Sequence, residues 1–206
     1  MEEKRTLNSI LNALEGIDVE KVVGESAYGA HEGQNVGDLS TLYEMETGLD
    51  KRHVPHSIIR AAYYMSNWDN YLPMAKTKGK IQTFYPKTFK LPMVAPDDIG
   101  EYASKLMRED ARFTGLHHFE GPERYSSLDV AKAFTRALGK PIAVEVIPKE
   151  KWIPYLLEMG YSKSSAQSMS NMTEYTLNNI YTPQTIVRGK TTIDDYIEGL
   201  VKQSVH

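Results

Sequence analysis

The first third of the chain alternates helix and strand signals, and that alternation restricts the fold more than any other feature. Leu7, Ile10, Leu11 and Leu14 recur at i, i+3, i+4 and i+7, an amphipathic helix ended by Gly16. Val19–Val23 reads as a short strand that ends in Gly24-Glu25-Ser26-Ala27-Tyr28-Gly29-Ala30, with Gly-rich polar residues on to Asp38. A helix is expected over Leu39–Leu49, and an apolar strand at Ser57-Ile58-Ile59 follows Pro55. Helix, strand, helix, strand is the rhythm of a parallel sheet. With right-handed crossovers, the strands at Val19, Ile58 and Leu116 should lie parallel and adjacent in one sheet, within a three-layer core from Met1 to about Arg112.

The stretch Ile58–Asn70 is the candidate site. A strand there runs straight into Tyr63, Tyr64, Met65, Asn67, Trp68 and Asp69. Ligands in open α/β sheets sit beyond the carboxyl ends of the strands, so such a strand is a natural pocket wall. Two strand exits side by side would bring Tyr28, Tyr63, Tyr64 and Asn67 to one concavity. The competing reading makes Tyr63, Tyr64 and Trp68 core aromatics under a loop, with Asn67 and Asp69 as hydrogen-bond partners.

Further along, Ile81–Tyr85 is strand-like, and Pro96-Asp97-Asp98 is a helix start whose acids read as capping residues. Ile99, Tyr102, Ala103, Leu106 and Met107 give that helix its apolar stripe. Leu116–Glu120 and Ile142–Ile147 read as strands. Helices are expected from Ser126 to Leu138, near Lys149–Met159, over Ser162–Asn179 and from Thr192, where Asp195 completes a capping box. A boundary near Thr114 divides the chain into a core, 1–113, and a smaller C-terminal α/β lobe, 114–206.

Composition excludes several classes. With 24 Lys+Arg against 27 Asp+Glu the net charge is -3, which attracts neither nucleic acid nor an anionic membrane. No apolar run reaches the ~18 residues of a membrane span. The absence of cysteine removes disulfides and thiolate chemistry and favours a reducing compartment, the cytoplasm. There is no Gly-x-Ser-x-Gly, no phosphate loop ending in Gly-Lys-Ser/Thr and no His-Glu-x-x-His. The close pairs His53/His56 and His117/His118 have no carboxylate at metal-ligand spacing, so no metal site is expected. None of the 13 tyrosines has a lysine four residues later, the arrangement that would lower a tyrosine pKa for reductase chemistry.

The order of motifs resembles the NmrA-like family of atypical short-chain dehydrogenase/reductases. Val22–Ala30 is similar to the family's strand and loop, and Ile58–Asn67 to its Arg-Pro-Gly-aromatic run ending in Asn. Val94–Gly100, Phe119–Ser126 and Arg136–Pro141 resemble three later motifs in the same order, so the likeness covers essentially the whole chain. The resemblance implies a partial Rossmann-type parallel sheet flanked by helices and an NAD(P)-dependent oxidoreductase-like protein taking a small-molecule substrate. It implies NADP or NAD at Ser26, Ala27, Tyr28, Ala61, Ala62 and Tyr63, a substrate pocket at Tyr64, Asn67 and Trp68, and Tyr28 and Tyr64 as catalytic candidates. The family's Gly-x-x-Gly-x-x-Gly does not occur here, and Ser40–Glu46 holds no lysine where the family often has one beside the nicotinamide. Three expectations follow. The chain alone should bind NAD(P) weakly or not at all, as a truncated and inactive product or as a cofactor-sensing, regulatory module. The strand at Val19–Val23 would have an open edge. That edge should drive self-association, as a homo-oligomer, unless another element such as the Met1–Leu14 helix covers it.

Overall fold

A computed structural model describes residues 2–33, 36–179 and 182–204. Met1 of the expected first helix and residues 34–35 of the expected polar loop lie outside the described residues. Helix α1 spans Glu2–Ala13 and buries Leu7 and Leu11, while Ile10 is 55% exposed. The buried stripe packs on Leu49 and on Ile58, with Leu14 partly buried beside them. Strand β1 runs over Val22–Ala27, not Val19–Val23. It starts where its ladder starts, with Val22 N–H donating to Pro55 O at 2.8 Å, and it continues through the glycine-containing segment read as a loop. A side chain at Gly24 would meet Ile58 Cδ1 at 3.0 Å, so this strand position lies close against its neighbour.

The chain continues as α2 (Leu39–Lys51), β2 (His56–Ala61), β3 (Tyr63–Tyr64), a 3-10 turn over Met65–Tyr71, α3 (Leu72–Lys78), β4 (Lys80–Thr83), β5 (Leu91–Val94) and α4 (Pro96–Arg108). Then come β6 (Gly115–Glu120), β7 (Arg124–Tyr125), α5 (Ser127–Leu138), β8 (Ala143–Val146), α6 (Trp152–Glu158), α7 (Lys163–Asn178), β9 (Val187–Arg188) and α8 (Ile193–Gln203).

Among the described residues the main sheet is parallel throughout, in the order β1-β2-β6-β9. Gly24 stands opposite Ile58 and Ile58 opposite Leu116, so the expected adjacency of the first three strands holds, with the first displaced along the chain. Successive residues of β2 face opposite ways. Ile58 joins Leu7, Leu11 and Leu49 under α1 and α2, and Ile59 joins Val94, Ile99, Leu106 and Phe119 under α4. Covering both faces makes the three layers that a parallel sheet requires. Helix α1 packs on α2, with Leu11 where a side chain at Gly48 would stand. The outer side of β1 has no strand partner among the described residues.

The second body of structure combines β4 parallel to β8, and β5 between parallel β3 and antiparallel β7. Its core is the largest apolar cluster, built around Met65, Trp68, Ile81, Phe134, Ile193 and Ile197. A division at 113/114 falls just before β6, which hydrogen-bonds to β2, so both sides of it contribute to the main sheet. Ser126 and Asp129 form the reciprocal capping box of α5, and Thr192 Oγ1 accepts from Asp195 N–H at 3.1 Å at the start of α8. Asp97 and Asp98 lie in the first turn of α4, as the helix-start reading expects, but the Asp98 carboxylate serves another element. Ala95 holds the N-cap position with no side-chain cap, and Asp98, buried to 4% exposure, accepts from Lys190 N–H, Thr191 N–H and Thr191 Oγ1–H at 2.9–3.0 Å. Asp98 thus ties α4 to the loop entering α8. Met107 of the expected stripe is 57% exposed.

Candidate functional site

A cavity of about 380 Å³ opens beyond the carboxyl ends of β1 and β2. Its floor is Ala27 at the end of β1 with Gly29 beyond it, and Ala61 at the end of β2 with Ala62 beyond it. These small residues leave room directly over the strand ends, where Tyr28 N–H donates to Ala61 O and Ala62 N–H to Phe119 O, both at 3.0 Å. Tyr28, Tyr63, Tyr64 and Asn67 all line the cavity, the convergence expected of two adjacent strand exits.

Tyr28 Oη–H donates to Glu120 Oε1 at 3.1 Å, and Tyr64 Oη–H to Glu25 Oε1 at 2.7 Å. Glu120 is fully buried and accepts from Arg124 Nη2 at 2.9 Å and Arg188 Nη1 at 3.4 Å. Burial first, then the facing carboxylate, pushes both hydroxyls well above the ordinary tyrosine pKa. At neutral pH each is therefore a neutral phenol whose proton is committed to a carboxylate, with lone pairs left to accept from a ligand. The Tyr63 hydroxyl is raised too, first by desolvation and then by the neighbouring Tyr85 and Tyr71, partly offset by its hydrogen bond with the Asn67 side chain.

Two expected site residues lie elsewhere. Ser26 is 1% exposed, and its hydroxyl donates to Glu46 Oε1 of α2 at 2.6 Å. Arg60, opposite Ser26 in the ladder, donates to the same carboxylate through Nε at 2.9 Å and Nη2 at 2.6 Å. Strand alternation sends Ser26 into this buried polar cluster under α2 and not into the cavity. Trp68 is 2% exposed, packed against Tyr63 and Tyr71 inside the second core, with Nε1 lacking a partner among the described residues. Asp69, suggested as its partner, accepts from Tyr196 Oη–H instead.

The remaining walls escaped the sequence reading. Leu39 and Leu42 of α2 contribute, as do Tyr85, Phe89 and Lys90 between β4 and β5. Helix α7 roofs the cavity with Met169, Met172, Thr173 and Thr176, a spacing of three to four residues that marks one helix face. Two glycines seat α7. Gly29 has φ +81°, and a side chain there would stand 3.1 Å from Tyr175 Cε1; Gly37 has φ +61°, and a side chain there would stand 2.8 Å from Met172 Cγ. His31 stacks on Tyr175 at a centroid distance of 4.6 Å, and Ser168 Oγ–H donates to Asp38. The histidine pair at 117 and 118 lies on β6, outside this cavity, and no group of three His, Cys, Asp or Glu among the described residues is placed to hold a metal. No helix among them is long and apolar enough to cross a membrane.

A parallel sheet covered on both faces, with an apolar cavity at its strand carboxyl ends, defines a Rossmann-like α/β protein. The profile of the NmrA-like family matches residues 40–197, and the chain belongs to that family. No curated protein sequence matches it significantly. Among solved structures, an NADPH-dependent quinone oxidoreductase from Escherichia coli superposes with a TM-score of 0.74 at 15% identity, covering 96% of this chain and 72% of that one. The same enzyme complexed with NADPH gives 0.69 at 16%, covering 96% and 70%. The triphenylmethane reductase of Citrobacter sp. gives 0.74 at 12%, covering 97% and 70%. At these identities the likeness is one of fold.

Proposed function

We propose that this chain is the substrate-side portion of an NAD(P)-dependent oxidoreductase, with the nicotinamide ring over the ends of β1 and β2 and a small-molecule substrate under α7. The observation that carries this reading is the floor of Ala27, Ala61 and Ala62, which leaves a flat ring access to the strand ends between Tyr28 and Tyr63. When bound, the cofactor would supply hydride. The residues of this chain would orient the ring, exclude water with the apolar walls, and accept hydrogen bonds at the oxygens of Tyr28 and Tyr64.

The fit holds at the nicotinamide end only. A pyrophosphate is usually held by a Gly-rich turn opening a helix, and no two of the 14 glycines are spaced Gly-x-x-Gly. Titration of the chain with NADPH, followed by calorimetry and by the methyl resonances of Ala27, Ala61 and Ala62, tests both halves. The expected result is binding only at millimolar cofactor, with shifts confined to those methyls. Micromolar affinity would refute the weak-binding half, and unshifted methyls would refute the placement of the ring.

A cofactor-sensing module is the second reading. It is favoured by the commitment of Tyr28 and Tyr64, the two catalytic candidates, to carboxylates and by Glu46 in the segment where the family often has a lysine. Turnover of NADPH with a quinone acceptor would decide for catalysis over sensing.

A further inference from the structure

We infer that the cavity takes a planar aromatic compound carrying an acidic group, with the ring against Tyr85 and Phe89 and the acid at Lys90. This rests on the reading of the cavity as a ligand site and specifies what chemistry that site selects. The rings of Tyr85 and Phe89 stack with centroids 5.6 Å apart and planes 7° from parallel, and Tyr63 meets Tyr85 edge-on at 6.2 Å. Methionines 169 and 172 also line the cavity, and thioethers pack well against ring edges. A cavity lined by aromatic rings and thioethers suits a flat ring system better than a flexible aliphatic chain.

Charge then discriminates among flat rings. Lys90 is the only charged residue lining the cavity among the described residues, and it is exposed at the rim beside Phe89. Among the described residues it makes no ion pair or hydrogen bond. Asp129 is near enough to feel its charge, but that carboxylate accepts from Ser126 N–H and Oγ–H and pairs with Lys132. The carboxylates closest to the cavity are also engaged, Glu25 by Tyr64, and Glu120 by Tyr28, Arg124 and Arg188. A cationic ring would therefore meet an ammonium and no free carboxylate, whereas an anionic one would meet a cation with open donors.

The test uses a matched pair of probes, 2-naphthoate and 2-naphthamide, on the full chain and on Lys90→Met and Lys90→Arg. Binding is read by calorimetry and by the methyl resonances of Met169 and Met172. The acid should bind about fivefold tighter than the amide, the scale of a solvent-facing ion pair, and the preference should shrink as salt rises. Lys90→Met should abolish the preference, and Lys90→Arg should keep it. Because Lys90 is exposed, neither variant tests folding. Equal affinities for acid and amide on the unmodified chain, or a preference that survives Lys90→Met, would overturn the acid-selective site while leaving the cavity as a ligand site. Failure of both probes to shift the methionine methyls would overturn the cavity reading itself.

Discussion

Replacement of Glu46 should unsettle this fold more than any change at the cavity rim. Its carboxylate is held by three donors at once: Ser26 Oγ at 2.6 Å, and Arg60 Nε and Nη2 at 2.9 and 2.6 Å. The side chains of Arg60 and Glu46 are 14% and 10% exposed, so solvent screens the pair little. In Glu46→Ala the guanidinium loses its carboxylate and Ser26 loses its acceptor, both beneath α2. Removing one member of a buried pair costs about 3–5 kcal/mol. In a chain of this size ~1 kcal/mol corresponds to about 2–4 °C, so Tm should fall by roughly 6–20 °C. Glu46→Gln keeps the shape and one acceptor and should lose about half as much. In a double-mutant cycle with Arg60→Gln, the coupling should exceed about 1 kcal/mol. Thermal melts followed by circular dichroism measure all three variants. A Glu46→Ala protein melting within about 2 °C of the parent would refute the assignment of this cluster as a buried brace between α2 and the sheet.

Two further outcomes are expected. The His117 pKa is lowered, first by burial and then by Lys21, with Glu109 opposing. Its Nδ1 faces Tyr102 Oη at 2.9 Å, and its Nε2 is buried without a partner among the described residues. The unfolded chain therefore takes up the proton first, and the stability contributed by neutral His117 is complete above about pH 6.5 and is lost as pH falls from there toward the folded-state pKa. His117→Gln should flatten the decline of the urea midpoint between pH 7 and pH 5; an unchanged slope would contradict this. The second outcome concerns β1, whose outer side lacks a strand partner among the described residues while α1 packs on α2. We expect a homo-oligomer in light scattering at tens of micromolar, and a clean monomer would show that the edge does not recruit a second copy.

Local sequence determined a good deal by itself. The alternation of elements, the parallel adjacency at Ile58 and Leu116, and the N-caps at Ser126 and Thr192 rest on short-range chemistry: side-chain periodicity, turn-forming glycine and proline, and hydroxyls that satisfy helix N–H groups. Adjacent strand exits were enough to bring Tyr28, Tyr63, Tyr64 and Asn67 to one cavity. Partners distant in sequence decided the rest. Asp98 has the position of a helix-start acid, but a backbone loop more than ninety residues away supplies its donors. Ser26 sits among cavity residues in the chain, yet strand alternation turns it toward Glu46. Trp68 follows the aromatic run of the pocket but enters a core completed by α5 and α8. The wall formed by α7 comes from a segment about a hundred residues downstream of Tyr64, and its methionines carry no local sign of what they face. Periodicity says which side of an element is apolar; which neighbour covers that side is settled only when the chain closes on itself.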